Sequence, residues 1–195
     1  MTENTPPAEN SEQLDVPERR SPALIATAVA LPVALIIGVS IAAVVAGRNP
    51  ALEPVALGPV PAPAADSASC TSLLGALPDT VDDFTKAELV EPAPAGAAAW
   101  QRSDSEPIVL RCGLDRPVEF DRAAALQVVN GVQWFQVSGT DVGLKASTWF
   151  AVDRGDYIGI TVPDGTGPTP IQEISDTISA TLEQQPLDPA PLPGN

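Results

Sequence analysis

Apolar and polar residues alternate along the second half of the chain in short runs that are typical of β-strands. The runs are rich in Val, Ile, Trp and Phe and are bounded by Gly, Pro, Asp and Ser. They cover residues 97–102, 107–112, 131–138, 147–153 and 157–162. Residues 70–77 suit a short helix, and an apolar stripe at helical spacing predicts a longer helix over 169–184. Short strands with helices at both ends predict an α+β domain over residues 69–185, with an antiparallel sheet of about five strands.

The ends of the predicted helices carry ordinary start and stop signals. Pro78 is expected to end the first helix, because proline disfavours helical backbone in the residue before it. In the last helix Thr169 is predicted to be the N-cap, with Pro170 at the first position and Gln172 completing a capping box. Residues 121–128 are expected to hold a helical turn or two.

Turn lengths predict which side chains share a face of the sheet, because opposed residues of an antiparallel pair point the same way. A three-residue turn at 154–156 places Phe150 opposite Ile160, with Tyr157 and Gly159 on the other face. A loop centred near 141–142 adds two more aromatic residues to that other face. The candidate binding face therefore consists of Phe135, Trp149, Tyr157 and Gly159, with a shallow slot at the glycine. The alternative is that the end helices, or the segment 78–95, cover this face.

The first hairpin places one cysteine in the predicted core. A turn over 103–107 sets Trp100 near Leu110, so that Ile108, Leu110 and Cys112 share the core face.

One long segment of the chain, residues 21–47, contains no charged residue. Twenty-seven helical residues extend about 40 Å, enough to cross a bilayer, so we expect a single transmembrane helix. Arg19 and Arg20 precede the segment and only Arg48 follows it directly, which predicts a cytoplasmic N-terminus and an extracytoplasmic domain. A cleaved signal peptide is the alternative, although the apolar stretch is longer than a signal core.

The remaining segments are expected to lie outside the folded domain. Residues 1–20 and 186–195 are predicted to be disordered tails, the first of them cytoplasmic. Residues 48–68 are rich in Ala and Pro and are predicted to form a semi-rigid linker.

Charge and composition argue against several functions. The formal net charge is −15, with 10 basic and 25 acidic residues, so nucleic-acid binding is not expected. The chain has no histidine, which excludes Ser-His-Asp and Cys-His catalysis. No cofactor or metal motif is recognised, and we expect no enzyme activity. A hydrolase that uses carboxylates such as Asp141 or Asp153 is the less favoured alternative.

The chain has two cysteines, Cys70 and Cys112. An even number of cysteines in an extracytoplasmic domain predicts a disulfide bond, here between the first helix and a core strand. A metal site would need two more ligands, and a nucleophilic thiolate would lack a histidine. Free buried thiols are the other alternative.

Several short motifs occur in an order that resembles a known family. They are C-x-x-L-L-x-A-L-P at 70–78, LRCG at 110–113 with RP at 116–117, and NGVQWF at 130–135, after an apolar span and a Pro/Ala linker. Together they resemble an actinobacterial family of exported or membrane-anchored proteins, catalogued as domain of unknown function 3515, over about residues 22–185. The resemblance implies a location in the cell envelope, matches Cys70 and Cys112 to the family, and implies no activity.

These observations predict a single-pass cell-membrane protein whose domain binds an envelope protein or another envelope component without catalysis. A small-ligand-binding domain is the alternative, and it predicts an apolar pocket of several hundred Å³ beside Trp149. The tripeptide Arg154-Gly155-Asp156 spells an adhesion motif, but a glycine between polar residues is also what a tight turn requires.

Overall fold

Strands form where β-branched and aromatic residues alternate with polar ones, and the helices form at the two ends of the domain. The computed structural model describes residues 35–40, 52–140 and 143–192. The strands in these ranges are β1 (Thr80–Val81), β2 (Phe84–Lys86), β3 (Ala97–Gln101), β4 (Ile108–Leu114), β5 (Leu126–Val129), β6 (Val132–Ser138), β7 (Ala146–Ala151) and β8 (Tyr157–Pro163). The helices are α1 (Ala68–Ala76) and α2 (Thr169–Thr181). Residues 35–40 are also helical.

The strands of the described chain form one antiparallel sheet in the order β1-β2-β3-β4-β8-β7-β6-β5. Two runs of consecutive strands, β1 to β4 and β5 to β8, meet where β4 pairs with β8. An antiparallel sheet with helices is confirmed, but the sheet has eight strands in the described residues rather than about five. The three additional strands, β1, β2 and β5, have two to four residues and are too short to show an alternating pattern.

Residues 121–128 do not form the helical turns expected of them. Ala124 donates its backbone N–H to Asp121 O at 3.1 Å in a turn, and β5 begins at Leu126. The run of three alanines suggested a helix, but pairing of Leu126 with Phe135 on β6 places these residues in the sheet.

The predicted transmembrane segment, residues 21–47, lies outside the described residues except for 35–40, and the predicted tail 1–20 lies outside them entirely. Within the described ranges, no helix has the length and apolar character that crossing a bilayer requires. The chain divides into two units between residues 50 and 51, and the sheet with α1 and α2 belongs to the second unit.

The helices α1 and α2 are capped differently at their N-termini. Ser67 is the N-cap of α1, and its hydroxyl accepts the Cys70 N–H at 3.1 Å. The predicted N-cap of α2, Thr169, is instead the first helical residue. Pro168 takes the N-cap position with helical dihedral angles, its carbonyl accepts the Gln172 N–H at 3.2 Å, and no side chain caps this end.

Both helices pack on one face of the sheet, called here the helix face. Side chains from α1, α2 and all strands except β5 are buried together there; the largest are Trp100 and Trp134. Each buried indole has a hydrogen-bond partner, as burial of an N–H requires. Trp134 Nε1 donates to Ser175 Oγ at 2.9 Å, and Trp100 Nε1 donates to Pro78 O at 2.9 Å.

The first hairpin has the predicted faces but a different register. Trp100 lies opposite Ile108 and Ala98 lies opposite Leu110, whereas Trp100 was expected near Leu110. The register differs by two residues, so the faces are unchanged. Ile108, Leu110 and Cys112 are fully buried on the helix face as predicted.

The last two hairpins, which share β7, differ in register by one residue from the prediction. The side chains of β7 therefore lie on the faces opposite to those predicted. Phe150 lies opposite Gly159, and Trp149 lies opposite Ile160. The pairing of β7 with β8 ends at Ala151 and Ile158, so the connection is longer than the expected three-residue turn. In that connection the Gln185 N–H is donated to Asp153 O at 2.8 Å.

The cysteines form a disulfide bond that joins α1 to β4. Cys70 and Cys112 are both fully buried, and their Cα atoms are 5.5 Å apart. The predicted pairing is confirmed, so neither cysteine is available as a nucleophile or a metal ligand.

Segments on both sides of the predicted domain contact it in the structure. Val55 bridges Leu89, and the Ala64 N–H donates to Gly113 O at 3.1 Å. At the other end Ala190 bridges Asp121. The described parts of the Ala/Pro segment, predicted as a linker, and of the C-terminal segment, predicted as a tail, therefore each make contacts with residues of the domain.

Candidate functional site

The face of the sheet opposite the helices, called here the open face, carries a row of side chains that runs across five strands. Strand pairing sets them side by side in the order Arg111, Gly159, Phe150, Phe135 and Leu126. Gly159 has no side chain, so the sheet is depressed between the arginine and the phenylalanine ring. A Cβ at Gly159 would meet Leu114 Cδ1 at 2.8 Å and Phe150 Cε1 at 3.3 Å, which is closer than ordinary packing allows.

A β-bulge at Gly113 brings Leu114 onto the same face. The pairing of β4 with β8 shifts between Cys112 and Leu114, and Gly113 has φ +81°. In a regular strand Leu114 would point the same way as Cys112, toward the helices. The extra residue reverses its direction. Gly113 is also required for close approach, because a Cβ there would overlap the backbone of Ala64.

The open face contains a cleft of about 400 Å³ over Gly159. Thr148 and Thr161 form its floor beside the glycine, and their hydroxyl oxygens are hydrogen-bonded to each other at 2.9 Å. Val60 and Pro61 of the Ala/Pro segment form part of its wall.

Strand and loop residues complete the cleft. Val109, Leu114 and Phe150 contribute apolar surface from the sheet. Pro117 and Val118 contribute it from the loop that follows β4, and Val118 is 91% exposed. Most of the lining is therefore apolar.

Arg111 is the charged residue on the sheet within the cleft. Its Nη2 donates to Gly58 O at 2.8 Å, and it makes no ion pair with any residue in the described ranges. Partial burial lowers the pKa of Arg111 from its ordinary value because the cation loses contact with water. A cation that has lost part of its hydration gains more from a bound anion than an exposed one does.

The second arginine of the cleft, Arg116, already has an acidic partner. It contacts the Asp188 carboxylate at 3.1 Å, and the Tyr157 hydroxyl donates to Asp188 O at 2.9 Å. Burial raises the pKa of Tyr157 and Asp188 raises it further, whereas the charge and hydrogen bond of Arg116 lower it. These three residues hold the C-terminal segment against the edge of the cleft.

The structure brings together three of the four residues of the predicted binding face. Phe135, Tyr157 and Gly159 lie on the open face, and Gly159 lines the cleft. Phe135 is only 8% exposed because Phe120 covers it, with the two ring centroids 5.6 Å apart. The cover therefore comes from the loop after β4, and neither the helices nor the segment 78–95 provides it.

The fourth predicted residue, Trp149, lies on the helix face, so the grouping of all four residues is wrong. It borders a smaller cavity of about 160 Å³ together with Val162 and Ile171. The one-residue difference in register moved it there.

Sequence reasoning missed the residues that form most of the cleft. They include Arg111, Leu114, Arg116, Thr148 and Phe150. The signal was present in the LRCGLDRP segment at 110–117, whose residues other than Leu110, Cys112 and Gly113 all line the cleft.

Two other candidates from the sequence lie apart from the cleft. Arg154 of the adhesion-like tripeptide is buried and pairs with Asp153 at 2.8 Å, while Asp156 accepts the Ser67 hydroxyl at 2.6 Å. Asp153 is fully buried, and Asp141 lies outside the described residues. In the part of the chain that the structure describes, no cluster of three or more His, Cys, Asp or Glu residues is placed to hold a metal ion.

A family model described as "Protein of unknown function (DUF3515)" matches residues 29–187. The chain belongs to the DUF3515 family. The match includes the sheet, both labelled helices and every residue that lines the cleft of this DUF3515 protein. Searches of curated proteins and of solved structures found no match to the chain.

Proposed function

We propose that this DUF3515 protein is a membrane-anchored cell-envelope protein that binds an envelope component in the open-face cleft and has no catalytic role. The observation that carries the proposal is the cleft itself, about 400 Å³ of mainly apolar surface around an arginine without an acidic partner in the described residues. This volume lies within the range of about 300–1,000 Å³ that is usual for ligand pockets.

The uneven cover of the open face supports this assignment. Phe120 covers Phe135 of β6, with the two ring centroids 5.6 Å apart. Between β4, β8 and β7 the described residues leave the cleft over Gly159 open, with Val60 and Pro61 in its wall and exposed apolar side chains at its rim. Exposed apolar surface next to a concave site is typical of binding sites.

The proposed location rests on the sequence and on the disulfide bond. An uncharged 27-residue segment with more arginine before it than after it favours an anchor with the domain outside. The Cys70–Cys112 bond is buried between a helix and the sheet, and structural disulfides of this kind are typical of exported proteins.

The positions of the carboxylates favour binding over hydrolysis. A hydrolase that uses carboxylates needs two of them facing the same substrate. Among the residues that the structure describes, one carboxylate lines the cleft, that of Asp115, and Asp153 is fully buried against Arg154.

Photo-crosslinking in native membranes tests the proposed binding role. A photoreactive amino acid is placed at Val118, on the rim of the cleft, in the full chain. The matched control is Val128, also an exposed valine, on the edge strand β5. We expect a discrete adduct from position 118 and none from position 128. Adducts of the same kind from both positions, or none from position 118, would contradict the proposal.

A further inference from the structure

We infer that the ligand of the cleft is an amphiphilic monocarboxylate of about a dozen non-hydrogen atoms in all, with an apolar body and a carboxylate that pairs with Arg111. The inference rests on the proposed binding role and adds the chemistry of the ligand.

The contacts of the arginines identify the charged end of the ligand. Arg102, Arg116 and Arg154 each pair with at least one aspartate, whereas Arg122, which has no ion pair in the described residues, is exposed and lies outside the cleft. The protein has 25 acidic residues against 10 basic ones, yet Arg111 has no acidic partner in the described ranges. Its hydrogen bond to Gly58 O holds the guanidinium in place and uses one of five N–H donors. A bound carboxylate would accept two of the remaining donors side by side.

The charges around Arg111 favour a single negative charge on the ligand. Asp115 lines the same cleft, and the Arg116 charge is already paired with Asp188. A doubly charged group such as a phosphate monoester would meet one available cation and one nearby carboxylate. A monocarboxylate is balanced by Arg111 alone.

The floor and walls of the cleft favour an apolar body. The two threonine hydroxyls of the floor are hydrogen-bonded to each other, so they do not require a polar ligand group. Val109, Leu114 and Phe150 surround the space over Gly159. At roughly 30 Å³ for each water-sized group, about 400 Å³ holds about 13 non-hydrogen atoms. Decanoate, with about twelve, matches this size.

The test uses the full chain in lipid nanodiscs and a decanoate analogue with a photoreactive diazirine near its apolar end. After irradiation, mass spectrometry locates the adducts. We expect them on peptides that contain Leu114, Phe150 or Val60. Unlabelled decanoate should reduce labelling by the photoreactive analogue. Decanol has the same apolar body without the charge, so it should be at least tenfold less effective in reducing the labelling.

Two arginine variants provide matched controls. Arg111→Gln should reduce labelling of the cleft at least tenfold, and Arg111→Lys should retain part of it. Arg102→Gln removes an arginine that has its own aspartate partners outside the cleft, and it should leave labelling unchanged. The competition by decanol is measured on the unaltered protein, so the inference stays testable if an Arg111 variant does not fold.

The outcomes separate this inference from the proposed function. Equal competition by decanol and decanoate would overturn the carboxylate assignment and leave the cleft as a binding site. An adduct from position 118 in native membranes without decanoate labelling of the cleft would overturn the ligand class alone. Absence of both would overturn the inference and the proposed function together.

Discussion

Reduction of the Cys70–Cys112 bond is expected to lower the free energy of unfolding by about 4 kcal/mol. The two cysteines are 42 residues apart in sequence. Closing a loop of this length removes about 13 cal/mol/K of entropy from the unfolded chain, which is ~4 kcal/mol at 25 °C in the chain-entropy treatment. The chain-entropy treatment assigns this effect to the unfolded state, whose conformational freedom the bond restricts.

Urea unfolding with and without reductant measures this difference. Trp100 and Trp134 are fully buried on the helix face, so their fluorescence reports unfolding of the sheet and both helices. The midpoint should fall on reduction, and the m value should rise because the unfolded chain without the cross-link exposes more surface. In the double variant Cys70→Ala, Cys112→Ala, reductant should have no effect. A loss below about 1 kcal/mol with an unchanged m value would refute the reasoning.

Three further changes have defined outcomes. Asp153→Ala leaves the buried Arg154 without its carboxylate and should cost about 3–5 kcal/mol in urea unfolding; a loss below about 1 kcal/mol would show that the pair is not buried. Burial and Asp188 raise the pKa of Tyr157 above its ordinary 10.0, so stability present below pH ~10 should decline as the pH rises through the folded-state pKa. The variant Tyr157→Phe should lack this decline of the free energy of unfolding at alkaline pH. If the variant and the wild type show the same decline, the prediction is contradicted. Gly159→Val should cost about 1–3 kcal/mol by crowding Leu114 and abolish decanoate labelling; full labelling would contradict the assignment.

The long strands and both helices were predictable because their side-chain patterns are local. All five predicted strands occur in the sheet, and α1 ends beside Pro78 as expected. The short strands β1, β2 and β5 were missed because two to four residues do not establish an alternation. β2 depends on pairing with a strand farther along the chain, as in Thr85 with Gln101, whereas β1 and β5 pair with the strand that follows each of them.

The faces of the last hairpin were not predictable from the apolar pattern alone. The predicted register grouped Phe150 and Val152 with Ile158 and Ile160, on the assumption that one face of the sheet collects the aliphatic residues. In the structure both faces bury apolar side chains, and Val152 packs with Phe120 on the open face. The loop between β7 and β8 is also longer than a tight turn, because its Asp153 and Arg154 fold inward as a buried pair.

The cleft depends on features that sequence patterns reveal only in part. The glycine at 159 was recognised as the place for a slot on the sheet. The bulge at Gly113, which moves Leu114 into the cleft, has no sequence signal beyond a glycine within a strand. The wall formed by Val60 and Pro61 comes from a segment whose composition predicts a linker.

The central claim is that the cleft over Gly159 is the place where this protein holds its ligand. The most direct test is the yield of the position 118 photo-adduct in native membranes, measured side by side for the wild-type chain and for Gly159→Val. The account predicts at least a tenfold lower yield in the variant, at equal amounts of disulfide-bonded protein. An equal yield from both chains would contradict it.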